Sequence, residues 1–505
     1  MKLASLSSLL MAALVTAAQA EGFSVVTYNV EHLFDADRVA VFEDLAETDN
    51  EHSYSPGHLL GKLQAVSKTL KSINNGRGPE IVAFNELEID YTPESKVDDL
   101  PSFLKKYQKT SVERMLTTDL NDEVRGLPVE ALLLKHLADE GLGVYAVAIG
   151  SDSPAGESST AQKAHKNALF TKFPIKNVRS HPTVQARDIL EVEIDVDGSP
   201  LHIFVNHWKS GASSTESENI RRDNARVVRH RLQEIFQQDP SADVIVTGDF
   251  NSNYNQSQAF PYMGKTALND ILGSTGDEKK VAEARGYALY NLWYELPHDQ
   301  RKSDQHHGQW GTLMQTMISP GLYDFRGLQY VDDSFQPVIL EGINVRTPLG
   351  LPKRWSNAGT GSGASDHFPV AARFRRVEDN DSVKRLTPLN PGQPEREHMP
   401  LSVGYDSLKP EQLEIFTPAL AARPAARVGE IFRVRGSVVN QKPVTIEVNG
   451  YRFQVWSWDI TLRKKLQQWP KDSIVQFLGE LSLHRGRWQF TIHDETWIPD
   501  SPAEK

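Results

Sequence analysis

Two features of the sequence predict an α/β domain followed by a small all-β module. As far as residue 376, short β-branched apolar runs alternate with longer stretches of helical spacing, and the runs end in polar residues. Beyond residue 425 the composition changes to five short strands with Gly at the bends. At 505 residues the chain is too long for one ordinary core, so two domains, or one enlarged domain with an appendage, are expected.

The first twenty residues read as a targeting segment. Lys2 gives the positive start, Leu9 to Val15 the short apolar centre, and Ala18-Gln19-Ala20 a small-residue cleavage site. The plain alternative is a buried amphipathic helix. The mature chain is expected to start near Glu21 and to be secreted or periplasmic, with no later stretch apolar enough to insert in a membrane. There is no cysteine, which excludes disulfides and thiolate chemistry. A net charge of −11 argues against a uniformly basic nucleic-acid binder, although charge can be local.

Phe23 to Val30 alternates and is β-rich, so it is the first strand, ending in Asn29, Glu31 and His32. Residues 58–74 carry Leu59, Leu63, Val66 and Leu70 at helical spacing, and Gly76 and Gly78-Pro79 stop that helix. Glu80 to Leu87 is a second buried strand. It ends in Glu86, and a carboxylate there is costly unless paired or bound to a cation. Residues 90–140 are charge-rich with helical period, an excursion from the sheet, and Gly156 to Thr160 read as a mobile loop. Asn167 to Ile175, Ile189 to Val196 and Pro200 to Trp208 are strands, the last ending in His207, and a helix spans roughly 218–236.

The run that organises the rest is Val244-Ile245-Val246-Thr247-Gly248-Asp249-Phe250-Asn251-Ser252. Gly248 is read as the point where the strand stops and turns, delivering Asp249 and Asn251 on one side. The carboxylate can hold or deprotonate a water, and the amide can donate to a phosphate oxygen. Residues 253–312 carry no clear period. Gly359 to Gly363 form a flexible loop leading to Ser365-Asp366-His367-Phe368-Pro369-Val370, the last polar-to-strand transition.

Residues 377–425 are Pro-rich and charged, a linker. The module after it, 426–500, has a helical Leu462 to Leu466 between its third and fourth strands, as in an OB-fold barrel. Between Arg427 and Pro499 there are 11 Lys/Arg against 7 Asp/Glu, and five of the nine tryptophans, Trp456, Trp458, Trp469, Trp488 and Trp497. Either these stack the bases of a single strand or they fill the barrel's core.

The polar strand ends in order, Thr27-Tyr28-Asn29-Val30, Ile81 to Glu86, Asn206-His207-Trp208-Lys209-Ser210, Gly248-Asp249-Phe250-Asn251 and Ser365 to Pro369, resemble the endonuclease/exonuclease/phosphatase superfamily, the DNase I-like fold. Each motif is weak alone; in this order over residues 22–375 they are strong. The stretch Arg187 to Val192 running into Asn206 to Ser210 is most similar to secreted bacterial nucleases of that superfamily.

The resemblance implies a four-layered αββα sandwich (DNase I-like) over residues 21–376, followed by the small all-β OB-like barrel. It implies a metal-dependent phosphodiesterase or endonuclease with its site at one end of the sandwich. It implies Glu86 as the principal metal ligand, with Asp366 near the metal and Asn29 beside both metal and phosphate. Asp249 orients and activates the attacking water, Asn251 contacts the phosphate or that water, His207 hydrogen-bonds a phosphoryl oxygen, and His367 is the acid/base partner at the scissile phosphate. The cofactor is Mg²⁺, with Mn²⁺ or Ca²⁺ as alternatives, and the partner is nucleic acid, DNA first and RNA second. A hard divalent cation wants few oxygen ligands, leaving room for substrate and water, which these residue types provide.

One position departs from the pattern. The family has an acid orienting the last histidine in a strand of the form Leu-Asp-His-Ile-Leu-Val-Ser, and here the strand reads Leu313-Met314-Gln315-Thr316-Met317-Ile318-Ser319. Either Gln315 or another group such as Asp324 takes over, or His367 is less well held. Two other readings stay open: a phosphodiesterase of the same fold acting on sphingomyelin or another phospholipid, and a non-catalytic nucleic-acid-binding protein.

Overall fold

The computed structural model describes residues 22–39, 54–92, 96–151, 164–283, 288–306, 309–346, 350–357, 361–377, 408–422, 424–427, 430–484 and 487–499. The targeting segment, the 156–160 loop and most of the linker lie outside the described residues. With strands numbered β1 to β23 along the chain, one sheet runs β14 (Gly327–Tyr330), β18 (Val370–Val377), β1 (Phe23–Leu33), β2 (Ile81–Glu88), β4 (His165–Thr171) and β3 (Ala146–Ile149). β15 (Gln336–Pro337) also pairs with β18. A second sheet runs β5 (Ile175–His181), β6 (Ile189–Val196), β7 (Ser199–His207), β8 (Val244–Asp249), β13 (Met314–Ile318), β10 (Leu289–Asn291) and β9 (Ser274–Thr275). Two hairpins, β11–β12 (Asp304–His306 and Gln309–Gly311) and β16–β17 (Val345–Arg346 and Leu351–Pro352), complete this domain.

Alternation along the strands builds four layers. In β1, Val26, Tyr28 and Val30 face outward and pack with Leu59, Leu63 and Val66 of the helix Pro56–Lys71 and Leu133 and Leu137 of the helix Val129–Asp139. Val25 faces inward and joins Ile81, Ala83 and Leu169 against Leu190, Ile203 and Ile245 of the second sheet. On the far side Val228 and Leu232 of the helix Thr215–Gln238 cover Phe204, Val244 and Val246. The fold is therefore the αββα sandwich expected.

Two expectations change. The run Asn167 to Ile175 is two strands in different sheets: β4 ends at Thr171 and β5 begins at Ile175, because Pro174 has no N–H to continue a ladder and Lys172-Phe173 turn the chain across. Gly248 does not stop its strand, since β8 continues to Asp249. Its φ of 138° and close packing explain the residue instead, because a Cβ there would lie 1.9 Å from the Asn206 carbonyl oxygen.

The C-terminal strands β19 (Ile431–Gln441), β20 (Val444–Val448), β21 (Tyr451–Trp456), β22 (Ile474–His484) and β23 (Arg487–Thr491) close as β19-β20-β21-β23-β22, with the helix Ile460–Leu466 between β21 and β22. This is the OB-like barrel. Most of its tryptophans pack: Trp497 is buried and Trp469 and Trp488 lean on the core, whereas Trp458 is 51% exposed. The barrel shares its core with the first domain through Leu351 and Trp310.

Candidate functional site

The inward faces of β1, β2, β7 and β8 are polar at one end. β1 and β2 run parallel, as do β7 and β8, which sets His207 opposite Asp249. A seam of buried amides ties the sheets together there: Asn85 donates to the Asn206 carbonyl (2.9 Å) and to Asn167 Oδ1 (2.7 Å), and accepts from the Asp249 N–H (3.0 Å). The carboxylates beyond this seam therefore stand on a rigid platform.

By strict alternation Glu86 would share the outward face of Val82 and Phe84. Instead it sits at φ 66° where the pairing register shifts, and the irregularity turns its side chain into the site. Asn29 Nδ2 donates to Glu86 Oε1 and to Asp249 Oδ2, both at 3.0 Å, and the His32 N–H donates to Glu86 Oε2 at 3.0 Å. The amide oxygen of Asn29 accepts from the Glu31 N–H, so its nitrogen faces the carboxylates. Asp249 Oδ2 is the hub of the site. His207 Nε2 lies 3.6 Å and His367 Nε2 3.7 Å from it, and His367 Nε2 is also 3.7 Å from Asp366 Oδ1. Asn251, at φ 48°, donates its N–H to Asp249 Oδ1 and its side-chain amide to the Trp208 carbonyl. Asn29, Glu86, His207, Asp249, Asn251, Asp366 and His367 thus fall in one cluster.

The two histidines hold opposite charge states. Burial, then the Arg187 guanidinium, push His207 well below the usual imidazole range, so it is neutral. Burial also opposes charge on His367, but Asp366, Asp249, Asp304 and Glu86 outweigh it and raise the group to about 9. Burial raises Asp249 and Asp366, whereas Glu86 is held well below the usual carboxylate range. For Glu86 burial works against the charge, and His165, His32 and His207 with Arg187 overcome it. Because burial lowers His165 to about 3, Arg187 is the permanent cation among them at neutral pH.

Two groupings place three ligand atoms within 4.8 Å of one another: His32, Glu86 and His165, and Glu86, His207 and Asp249. Proton placement disfavours the first. Arg187 can only donate, and its Nη2 lies 3.2 Å from His165 Nδ1. His165 therefore carries its proton on Nε2 and gives it to His32 Nδ1 at 2.8 Å, leaving no lone pair for a metal. What remains is Glu86, His207 and Asp249, with Asp366 close enough to feel the charges of Glu86 and Asp249, a repulsion that a hard divalent cation would relieve.

The acid beside His367 is Asp304, which sequence reasoning missed; its charge helps keep His367 protonated, although His367 Nδ1 has no hydrogen-bond partner among the described residues. Gln315 points away, donating to the Ser252 and Thr312 carbonyls. Asp324 lies beside Asp243, at the opposite end of β8 from Asp249. Asp304 instead pairs with His367 in an isolated antiparallel bridge, and the Phe368 N–H bonds to the Ser303 carbonyl at 2.6 Å. The buried Asp304 carboxylate is fixed by the Ser303 hydroxyl (2.8 Å) and the Leu313 N–H (2.9 Å). No sequence signal marked it within the unassigned 253–312 stretch. Arg187 and His165 were also unassigned, although Arg187 stands in one of the quoted motifs.

A search of curated proteins by sequence gave no match. Among solved structures, truncated TDP2 of Caenorhabditis elegans shares 14% identity, covering 70% of this chain and 98% of its own, with a TM-score of 0.38. An endonuclease/exonuclease/phosphatase family protein of Leptotrichia buccalis gives 14%, 70%, 99% and 0.39, and the human Nocturnin catalytic domain with bound sulfate 14%, 70%, 95% and 0.35. These are weak likenesses, and no activity is carried over from them. Residues 146–376 match the family described as "Endonuclease/Exonuclease/phosphatase family". That match spans β3 to β18 and includes His207, Asp249, Asn251, Asp366 and His367, so over this stretch the chain is similar to the endonuclease/exonuclease/phosphatase family.

Proposed function

We propose that this chain, similar to a phosphodiesterase- and nuclease-type hydrolase family, is an exported, divalent-metal-dependent nuclease that cuts phosphodiester bonds of DNA, and of RNA as a second substrate. The observation that carries the reading is the pair of histidines in opposite charge states on either side of Asp249. Phosphodiester hydrolysis needs an aligned water, donors to the non-bridging oxygens and a proton for the leaving oxygen. Asp249, pinned by Asn29 and the Asn251 N–H, orients the water. Neutral His207 donates to a phosphoryl oxygen, and His367, kept protonated at neutral pH, delivers its proton to the departing alkoxide. Asn251 and Asn29 border the phosphate. Glu86 and Asp366, with Asn29 alongside, would hold Mg²⁺, which supplies charge neutralisation at the phosphate when bound. Arg463 stacks on Trp456 at 4.4 Å on the barrel, and Trp458 is exposed; both suit a strand passing over that surface.

The test is closed circular plasmid with the mature chain, with and without Mg²⁺, beside Glu86→Ala. Metal-dependent nicking that Glu86→Ala abolishes is the expected result. No cleavage of circular or linear DNA with any divalent metal overturns the proposal.

A further inference from the structure

Glu31 stood out in the sequence as a polar strand end, and the site described so far leaves it without a role. It is only 5% exposed and sits at φ 45°, so both its burial and its backbone are costly. Its two oxygens are spent on one short segment: Oε1 accepts from Arg354 Nε (2.5 Å) and Oε2 from the Trp355 N–H (2.8 Å). The same segment is clamped from behind. The Ala364 N–H bonds to the Lys353 carbonyl at 2.7 Å, the buried Lys62 ammonium lies 5.3 Å from the Trp355 ring, and Gly363 approaches so closely that a Cβ would lie 2.1 Å from the Arg354 carbonyl oxygen.

What this anchoring aims is an exposed cation. The Arg354 side chain is 70% accessible, and its Nη2 stands 3.7 Å from Asp366 Oδ2, on the rim of the carboxylate cluster. An exposed ion pair ordinarily contributes little to stability, which does not offset the burial of Glu31. A guanidinium has five N–H donors in a fixed fork, and holding Nε fixes the direction of the outer ones. Those donors face the solvent beside the site, where the polyanionic backbone of a substrate strand would pass.

We propose that Arg354 binds a phosphodiester flanking the scissile one, on the Asp366 side of the site, and that Glu31 is the positioning residue that aims it. This rests on the nuclease reading above. Such a subsite rewards substrates with more than one phosphate and offers nothing to a single phosphodiester.

The experiment compares full-length Arg354→Gln and Arg354→Lys with wild type on two substrates, a single-stranded oligonucleotide and bis(4-nitrophenyl) phosphate, which has one phosphate. For Arg354→Gln on the oligonucleotide the expected result is a KM about tenfold higher and a log KM against log salt slope smaller by about one, reporting the loss of one phosphate contact. Its kcat/KM on bis(4-nitrophenyl) phosphate stays within about twofold. Arg354→Lys restores the salt slope, which a merely structural role would not do. A single methylphosphonate placed at the flanking position raises KM for wild type and leaves Arg354→Gln unchanged. If wild type cleaves both substrates and Arg354→Gln matches it on both, or loses equally on both, the flanking subsite is overturned while the nuclease reading stands. If wild type cleaves neither with any divalent metal, the nuclease reading falls and takes the subsite with it.

Discussion

Asn29 separates two carboxylates, and replacing it gives a test of the cation site that does not depend on turnover. The side chain is fully buried and makes three bonds, to Glu86 Oε1, to Asp249 Oδ2 and from the Glu31 N–H, each 3.0 Å. A bond to a charged partner contributes about 1.5–3 kcal/mol and a neutral one about 1. Asn29→Ala therefore costs about 4 kcal/mol once non-additivity is allowed for, within a typical reserve of roughly 5–15 kcal/mol. Asn29→Asp keeps the acceptor for Glu31 but puts a third carboxylate between the other two, at a cost of about 3–5 kcal/mol. The variants part company when a divalent cation is added. The new carboxylate strengthens an oxygen site, and a cation at a hundred times its Kd returns about 2.7 kcal/mol. Urea unfolding in EDTA and in saturating Mg²⁺ measures both. The expected result is a loss that shrinks with Mg²⁺ for Asn29→Asp and persists for Asn29→Ala. Equal losses for both variants in both conditions would refute the idea that these carboxylates form a cation site.

Asp304→Asn keeps the acceptor for the Leu313 N–H but removes one anion beside His367. Because an anion raises an imidazolium's pKa, the alkaline limb of kcat/KM, set near pH 9 by His367, moves to lower pH; an unmoved limb excludes Asp304 as its partner. Gly248→Ala forces a Cβ to 1.9 Å from the Asn206 carbonyl oxygen at φ 138°, and costs more than about 4 kcal/mol; a melting temperature equal to wild type would show that the strands can separate freely there. Burial raises Asp243 to about 8, so the folded state keeps a proton that the unfolded chain releases near 4. The contribution of this group is therefore greatest below pH 4 and is lost as pH rises to 8. The group is mostly buried, so the loss is on the order of a few kcal/mol. Asp243→Asn then raises the unfolding free energy at pH 9 and not at pH 4, read from urea curves at both.

The strand ends were legible because β-branched runs and their polar termini are local signals, and alternation put Asn29, His207 and Asp249 on one face. Glu86 reaches that face only through a positive φ and a register shift, which no periodicity reveals. Asp304 was hidden for a different reason. It reaches His367 through an isolated bridge made by a three-residue strand, so its partner lies far along the chain and its own stretch has no period. The same holds for Arg187 and His165, whose joint effect on proton placement exists only once β4, paired with β2, faces the second sheet, where Arg187 leads into β6. The crossing at Lys172-Phe173-Pro174 was misread because an apolar run continues on both sides of it. Arg354 and Glu31 are 323 residues apart and meet only in the folded chain.

Trp310 belongs to two bodies at once. Its ring stacks on Phe368, the residue after His367, at 6.5 Å, and it also leans into the barrel's core beside Leu351. On the same hairpin His306 feels the charges of Glu480 and His493 of the barrel. A boundary drawn along the sequence through the linker is therefore not a boundary in thermodynamics. An engineer who trims the chain to its sandwich strips solvent protection from Trp310 and slackens the hairpin that carries Asp304. A transplanted barrel from a relative would succeed or fail by how it seats one indole. The two modules are in this sense coupled through the hairpin, and any scheme that exchanges the barrel has to carry the hairpin along with it.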